Sequence, residues 1–368
     1  MAGVHLVGGA VRDLLLGVVP RELDVVVEGS VDELAARLAR DGDHVAHERF
    51  GTATIRCEDC CWDLAAARGE TYAHPGALPD VFAAEIEQDL QRRDVTVNAM
   101  ALDLATGRLR LAEHAIDDLR AGRLRVLHDA SFTDDPTRLW RVARYAARLG
   151  FELEEHTAAL AEQAVEAGAL ETVSRARIGS ELRVALSEPD PVGALEAAVA
   201  LGLAPWLAPD RALTRRALDL LPAGEGRQDL LVLAAALAEP DDAALEGLEF
   251  TASERAIVRA CARAPALADE PRAPSQLARE LRDLPIEAVA LAGARGAPEP
   301  ARRWLDELRH VGLQITGDDL LAAGLREGPE LGRRLRAVLE LRLDGALGEG
   351  RDAELQAALQ DPRGTGGR

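Results

Sequence analysis

An α+β fold is predicted for this 368-residue chain, with a mixed sheet in its N-terminal third and helices alone beyond it. Three observations predict it. Short apolar, β-branched stretches separated by glycine turns recur only in residues 1 to about 125. From about Thr133 the apolar period becomes helical. Aromatic content is 3%, beside long Ala/Leu/Arg/Glu stretches that favour helix over sheet.

The elements follow in order. Leu6-Val7-Gly8-Gly9-Ala10-Val11-Arg12-Asp13 is a glycine turn leading into a short helix that ends near Gly17. An apolar strand, Glu22 to Val27, comes next. Ser30-Val31-Asp32-Glu33 is a capping box for a helix to about Arg40. Strands are expected at Thr52–Cys57, Cys60–Leu64 and Val95–Leu102, and a loop at Arg68–Pro79, where Gly69, Pro75, Gly76 and Pro79 cluster. Asp134-Asp135-Pro136 starts a helix with acids and proline in its first turn, and Gly150 caps its end. Later breaks fall at Glu188–Pro191, Leu221–Gly224, Glu270–Pro274 and Gly296–Pro298, and Pro362–Arg368 is expected to be disordered.

Composition excludes several classes. The formal net charge is −20, which argues against a protein that coats nucleic acid, DNA included. All 43 basic residues are arginine, so a local arginine track stays open. Cys57, Cys60, Cys61 and Cys261 form neither a disulfide framework nor a zinc set, because no second Cys/His pair is suitably spaced. No signal segment and no run of 18 apolar residues is present, so a cytoplasmic protein without a membrane partner is expected.

The chemistry concentrates near the N-terminus. Glu22 and Asp24, at i and i+2, share one face of their strand. Beside Gly8, Gly9, Arg12 and Asp13 they make a candidate cradle for Mg²⁺ and a triphosphate, and Asp63 on a neighbouring strand offers a third carboxylate. The alternative is a solvated strand face. Arg92 and Arg93 offer donors to a triphosphate, while Asp94 and Asn98 would hold a sugar or orient the arginines; a solvated helix end fits the same pattern. Asp135 and Arg138 either read a base edge, one accepting and one donating, or form an i,i+3 salt bridge. Arg141, Arg144 and Arg148 continue a basic stripe, and Trp140 and Tyr145 serve as base platforms or as core. Arg175, Arg177 and Glu181 open a further helix, as packing or as phosphate contacts.

Together these residues resemble the class II tRNA nucleotidyltransferase/poly(A) polymerase family. Gly8 to Gly17 is similar to the family's opening signature, and Glu22-x-Asp24 stands at its paired metal aspartates. Phe50–Thr54 with Asp63-Leu64-Ala65 resembles the stretch bearing the third acid, and Arg92-Arg93-Asp94 to Asn98-Ala99 its ribose and phosphate signature. Asp134-Asp135-Pro136-Thr137-Arg138 resembles its base-selecting motif. Ile315–Leu320 and Gly328–Gly332 resemble the C-terminal region of bacterial members, and the likeness is weakest through residues 210–300.

The resemblance implies a nucleotidyltransferase head at 1–125, a neck with a nucleotide-selection helix at 126–210, a body at 211–296 and a tail at 297–368. It implies addition of C and A residues to tRNA 3′ ends from CTP and ATP, with two Mg²⁺ ions held by Glu22, Asp24 and Asp63. The nucleotide would be bound by Gly8, Gly9, Arg12, Asp13, Arg92, Arg93, Asp94, Asn98, Asp135, Arg138, Arg141 and Arg144. Arg175, Arg177, Arg333 and Arg334 would meet the tRNA acceptor arm, in a monomer or a homodimer. An A-adding or C-adding specialist and a poly(A) polymerase share these motifs.

The chain also departs from the family. Glu22 stands where the family has aspartate, which opens the alternative of a catalytically silent RNA-binding relative. Asp134 stands for the usual glutamate, and Leu111–Leu119 lacks the usual Asp-Pro and paired-glycine turn. Seven residues precede Gly8, too few for the family's leading helix, so the start is trimmed or the head is minimal.

Overall fold

Two compact units divide the chain: Met1–Leu207 with Gly247–Glu249, and Ala208–Glu246 with Phe250–Arg368. The computed structural model describes residues 3–20, 23–38, 44–47, 52–56 and 61–360. Glu22, Phe50, Gly51, Cys57, Cys60 and the Pro362–Arg368 end lie outside the described residues.

The first unit opens with β1 (Val4–Val7), α1 (Gly9–Leu15), β2 (Leu23–Val27) and α2 (Val31–Leu38). β3 (His44–His47), β4 (Thr52–Arg56), β5 (Cys61–Ala66), β6 (Arg68–Thr71) and β7 (Asp80–Ala83) follow. Next come α3 (Ile86–Gln91), β8 (Met100–Asp103) and β9 (Leu109–Leu111). Among the described residues, seven strands form one sheet in the order β3-β4-β5-β2-β1-β8-β9. The β2–β5 pair is parallel and the other pairs are antiparallel, so the sheet is mixed as expected. β2 is central, and Val25, Val26 and Val27 are all buried, the mark of a strand covered on both faces. Val7, Val26 and Ala101 join Ile86 and Leu90 of α3 in one core cluster. Each larger side chain there contributes about 1.5–3 kcal/mol by leaving water. Ser30 Oγ accepts the Glu33 amide at 3.2 Å, the expected cap at the start of α2.

Two expectations are corrected here. Arg68–Pro79 is not all loop: β6 pairs with β7 as a separate antiparallel hairpin. Val95–Leu102 is not a single strand, because Thr96–Asn98 form a 3-10 turn and β8 starts at Met100. The turn is drawn out of the ladder by its own polar groups. Thr96 donates through its amide to the Arg125 carbonyl and through Oγ1 to Asp118, while the Asn98 amide group donates to Asp94.

The rest of the unit comprises α4 (Ala115–Ala121), β10 (Arg123–Leu124), α5 (Ser131–Asp134), α6 (Thr137–Leu149), β11 (Glu152–Leu153), α7 (Glu155–Glu166), α8 (Arg175–Leu186) and α9 (Pro191–Ala200). The helix expected to start at Asp134 is broken at Asp135, which is extended at φ −133° and ψ 91°. Pro136 disfavours the helical region for the residue before it. α6 then runs to Gly150, which closes it at φ 66° as expected. Leu139, Trp140, Val142, Ala143 and Tyr145 are buried on α6, which packs against α8 and α9.

Among its described residues the second unit is helical: α10 (Arg211–Leu218), α11 (Gln228–Ala236), α12 (Asp242–Gly247), α13 (Ala252–Arg263) and α14 (Pro274–Leu281). α15 (Ile286–Arg295), α16 (Pro298–Asp306), α17 (Gly317–Ala322), α18 (Pro329–Leu343) and α19 (Arg351–Leu359) complete it. α11 is apolar all round and fully buried from Leu230 to Ala236, so it forms the centre of this unit. Pro274 and Pro298 stand in the first turns of α14 and α16, where proline is tolerated. Among the described residues, no helix is long and apolar enough to cross a membrane.

Candidate active site

A cleft of about 950 Å³ lies within the first unit. One wall is the sheet. β1 ends at Gly8, whose φ is +67°, and a Cβ there would sit 2.8 Å from Arg93 Nη1 and 4.0 Å from Asp24 Oδ2. Glycine is required by the positive φ, which L side chains rarely adopt. Asp24 on β2 stands opposite Asp63 on β5 in the parallel register, and both are exposed to the cleft. Thr54 Oγ1, from β4, donates to Asp63 Oδ1 at 2.7 Å. Two neighbouring carboxylates with hard oxygen donors, beside a position where only glycine fits, suit Mg²⁺. Among the described residues no third acid joins them, and Glu22 is not among those described.

The arginines of the opposite wall are already engaged. Arg12 is 3% exposed and donates twice to Asp13 Oδ1, at 2.9 and 2.7 Å, and once to Asn98 Oδ1, at 2.6 Å. Asp13 also faces Arg148, at 3.8 Å. Arg92 donates to Asp89, Glu70 and the Arg68 carbonyl, and Arg93 donates to Asp89 Oδ2 at 2.9 Å. Burial alone would raise the Asp89 carboxyl, but Arg93 and Arg92 overcome it and hold Asp89 below the ordinary aspartate value. Sequence reasoning missed Asp89, although its i+3 and i+4 spacing to Arg92 and Arg93 on one helical turn was a usable signal.

Asp94 is a second buried anchor. Arg141 Nη2 lies 2.7 Å and the Tyr145 hydroxyl 2.9 Å from its Oδ2, while the Val95 amide and the Asn98 amide group donate to its Oδ1. Burial opposes its charge, yet Arg141 and these hydrogen bonds hold the carboxyl well below the usual range. Arg144 stacks over the Tyr145 ring at 5.3 Å and faces Glu188 at 3.2 Å and Glu181 at 3.7 Å. Tyr145 is thus held in a buried polar network. Trp140 is 2% exposed, in the core.

Asp135 and Arg138 both line the cleft but form no salt bridge to each other. Asp135 Oδ1 accepts from the Thr137 amide at 3.1 Å, Thr137 Oγ1 at 2.7 Å and Arg177 Nη2 at 2.7 Å. Arg138 is 4% exposed; Nη1 donates to Ser131 Oγ at 2.7 Å and Nη2 to the Arg92 carbonyl at 2.7 Å. Its other neighbours are Tyr72 and His128. Burial, then Arg138, depresses His128, and burial pushes the Tyr72 hydroxyl up to about 12. Tyr72 is remote from Arg138 and Glu70 from Arg92 in sequence, while Ser131 and His128 stand 7 and 10 residues before Arg138 across the break at Asp135, and none of the four carried a signal.

The remaining candidates lie elsewhere. Arg175 is exposed outside the cleft, with its Cδ 2.9 Å from where a Cβ on Gly247 would stand. Arg177 does not line the cleft either; its second donor goes to the Gly76 carbonyl at 2.9 Å. Arg333 and Arg334, in the second unit, are paired with Glu330, and Arg334 also donates to the carbonyls of Ala358 and Leu359. Eight arginines and eight carboxylates line the cleft among the described residues. Its wall is therefore balanced although the chain carries −20, and a cation held by Asp24 and Asp63 would tip it toward a polyanion.

Comparison with known proteins agrees with this architecture. Residues 4–125 match the family described as the poly A polymerase head domain. The chain is 34% identical to the A-adding tRNA nucleotidyltransferase of Geobacter sulfurreducens, over 97% of this chain and 45% of that protein. It is 37% identical to the CC-adding tRNA nucleotidyltransferase of Deinococcus radiodurans, over 93% of this chain and 85% of that one. A solved complex of a CCA-adding enzyme with ATP superimposes with a TM-score of 0.78 at 27% identity, covering 98% of this chain and 91% of the other. The chain spans less than half the length of several curated relatives it matches, the Geobacter protein included. Likeness along nearly its whole length to the Deinococcus protein, with the matching head and the shared fold, carries one conclusion: the chain belongs to the class II tRNA nucleotidyltransferase/poly(A) polymerase family.

Proposed function

We propose that this protein adds C and A residues to the 3′ ends of tRNA from CTP and ATP, by template-independent nucleotidyl transfer. The observation that carries the reading is the shared cleft: adjacent Asp24 and Asp63 on one wall, Asp135 and Arg138 on the other. Asp24 and Asp63, with Glu22, would hold Mg²⁺, which when bound supplies activation of the attacking hydroxyl and neutralisation of the phosphates. Arg93 stands nearest the glycine turn and would take a phosphate oxygen, with Gly8, Gly9, Arg12 and Arg92 shaping that pocket. Asp94, Asn98, Arg141 and Arg144 brace the wall on which the nucleotide lies.

Base choice follows from which atoms remain unspent. Among the described residues, Asp135 Oδ2 and Arg138 Nε have no protein hydrogen-bond partner, leaving one acceptor and one donor. Cytosine and adenine each offer an exocyclic amine beside a ring nitrogen acceptor, whereas uracil and guanine offer a carbonyl there. The pair therefore matches C and A and opposes U and G. The same reading assigns residues 1–125 to the head, 126–210 to the neck, 211–296 to the body and 297–368 to the tail, in a cytoplasmic protein where its RNA substrate is found.

A specialist that performs one part of the addition is the second reading, favoured by the named activities of the Geobacter and Deinococcus relatives. Radiolabel incorporation with Mg²⁺ separates the readings. The acceptors are tRNAs lacking CCA, ending in CC, or complete, each with CTP, ATP or both. Ordered addition stopping at CCA supports the first reading, and A addition to the CC end alone, or C addition alone, supports the second. No incorporation, with tRNA still bound, overturns both and leaves the silent relative, with Glu22→Asp as the rescue to try.

A further inference from the structure

We propose that Arg177 is a positioning residue for base selection: it loads one oxygen of Asp135 and thereby aims the other at the base. The inference rests on the base-reading role of Asp135 given above. Asp135 occupies an extended break between α5 and α6, where no helical backbone fixes its carboxylate. A carboxylate rotates about a soft terminal torsion, so its two oxygens exchange roles unless donors tell them apart. Three donors converge on Oδ1 and none on Oδ2, among the described residues. Two of the three come from Thr137, only two residues away. The third, Arg177, is the one charged donor and the one from another element, the first turn of α8.

Arg177 is itself fixed. Ser174 caps α8 at the Arg177 amide, and Arg177 Nη1 donates to the Gly76 carbonyl at 2.9 Å. The Gly76 amide in turn donates to the Thr133 and Asp134 carbonyls at 3.3 and 3.2 Å, at the end of α5. A ring results: α5, Gly76, Arg177, Asp135 and back to α5. Gly76 can close it because its φ is +73° and a Cβ there would stand 2.2 Å from Thr172 Oγ1. Arg177 lies outside the lining of the cleft, so it acts on the nucleotide only through Asp135. A guanidinium is needed because two acceptors must be bridged at once, which one ammonium does not do with fixed geometry.

The test compares the unmodified protein with Arg177→Ala, Arg177→Lys, Asp135→Ala and the Arg177/Asp135 double Ala variant. Primer extension on tRNAs lacking CCA or ending in CC gives kcat and KM for CTP, ATP, UTP and GTP. Equilibrium binding of CTP and UTP with Mg²⁺ and no RNA is measured in parallel. Arg177→Ala is expected to narrow the CTP/UTP and ATP/GTP ratios by roughly 10- to 100-fold, mainly by raising KM for CTP and ATP. Arg177→Lys should fall between, and removing Arg177 from the Asp135→Ala variant should narrow the ratios no further. Equal loss on all four nucleotides, or a second narrowing in the double variant, overturns the inference and leaves a merely structural arginine. If Arg177→Ala does not fold, an unchanged ratio in Arg177→Lys overturns it as well. A protein that binds CTP over UTP but never extends RNA fails the proposed function alone, and the binding ratio of the Arg177 variants still decides this inference.

Discussion

The two walls of the cleft are held by opposite means. On the sheet wall, Asp24 and Asp63 are exposed, and the backbone ladder between β2 and β5 sets where they stand. On the other wall, Arg12, Asp94, Arg138 and Arg144 are at most 8% exposed, and each meets a side chain from a distant segment. A rigid ladder lets a carboxylate face solvent and stay available to a cation. A wall of long guanidinium chains has no such ladder and is ordered by buried ion pairs, which have value only while both partners remain. Removing a charge should therefore cost activity on one wall and stability on the other.

The largest expected effect is on the sheet wall. Asp24→Ala and Asp63→Ala should each lower incorporation by roughly 10³-fold or more, with a smaller loss of stability than substitutions on the buried wall. Near-normal turnover in either would end the metal assignment. Asp94→Ala should do the reverse first, destabilising the first unit by about 1–3 kcal/mol because the buried donors Tyr145, Asn98 and the Val95 amide lose their acceptor and the half-exposed Arg141 loses its ion-pair partner. Denaturant unfolding checks it, and a loss no larger than that of Asp24→Ala breaks the contrast between walls. Arg138→Ala should relax the preference for CTP and ATP over UTP and GTP by about 1–3 kcal/mol, read from competing kcat/KM values. Full selectivity in that variant removes Arg138 from base reading.

The smallest effect is on pH dependence. Asp94 is held below its ordinary value of 3.8, so its stabilising charge is fully present above that pH and is lost as pH falls below it. The stability gap between the unmodified protein and Asp94→Asn should thus be constant near neutrality and shrink below about pH 3.8. Glu181 works in the other direction: burial raises its carboxyl, so its share of stability declines as pH rises through the ordinary glutamate range. A gap that widens in acid would contradict the Asp94 assignment.

Much of this was legible in the chain, for reasons that differ by element. The glycine turn at Gly8, the acid-bearing strand at Asp24, the cap at Ser30 and the stop at Gly150 are local events, encoded within a few residues. The hairpin of β6 and β7 was not legible, because glycines and prolines between Thr71 and Asp80 mask two short strands that are paired across them. The break at Asp135 was signalled by Pro136 but outweighed by the acids around it. Candidate site residues were found by type, whereas their partners were not: Asp89 for Arg92 and Arg93, Ser131 for Arg138 and Arg177 for Asp135. The last pair depends on packing between elements far apart in the chain, whereas Asp89 and Ser131 lie within about two turns of their partners, and charge alone does not say which acid meets which arginine.

The parallel register that sets Asp24 beside Asp63 has a consequence for how this protein tolerates change in length. The two acids are neighbours because their strands share a ladder, and the number of residues joining the strands does not enter. Insertions or deletions between Val27 and Thr52 that leave α2 and β3 intact can alter the chain without moving either carboxylate. A single residue gained or lost inside β5 before Asp63 would turn that side chain to the opposite face of the sheet and leave Asp24 without its neighbour. Length is free in the connections and forbidden within the strands.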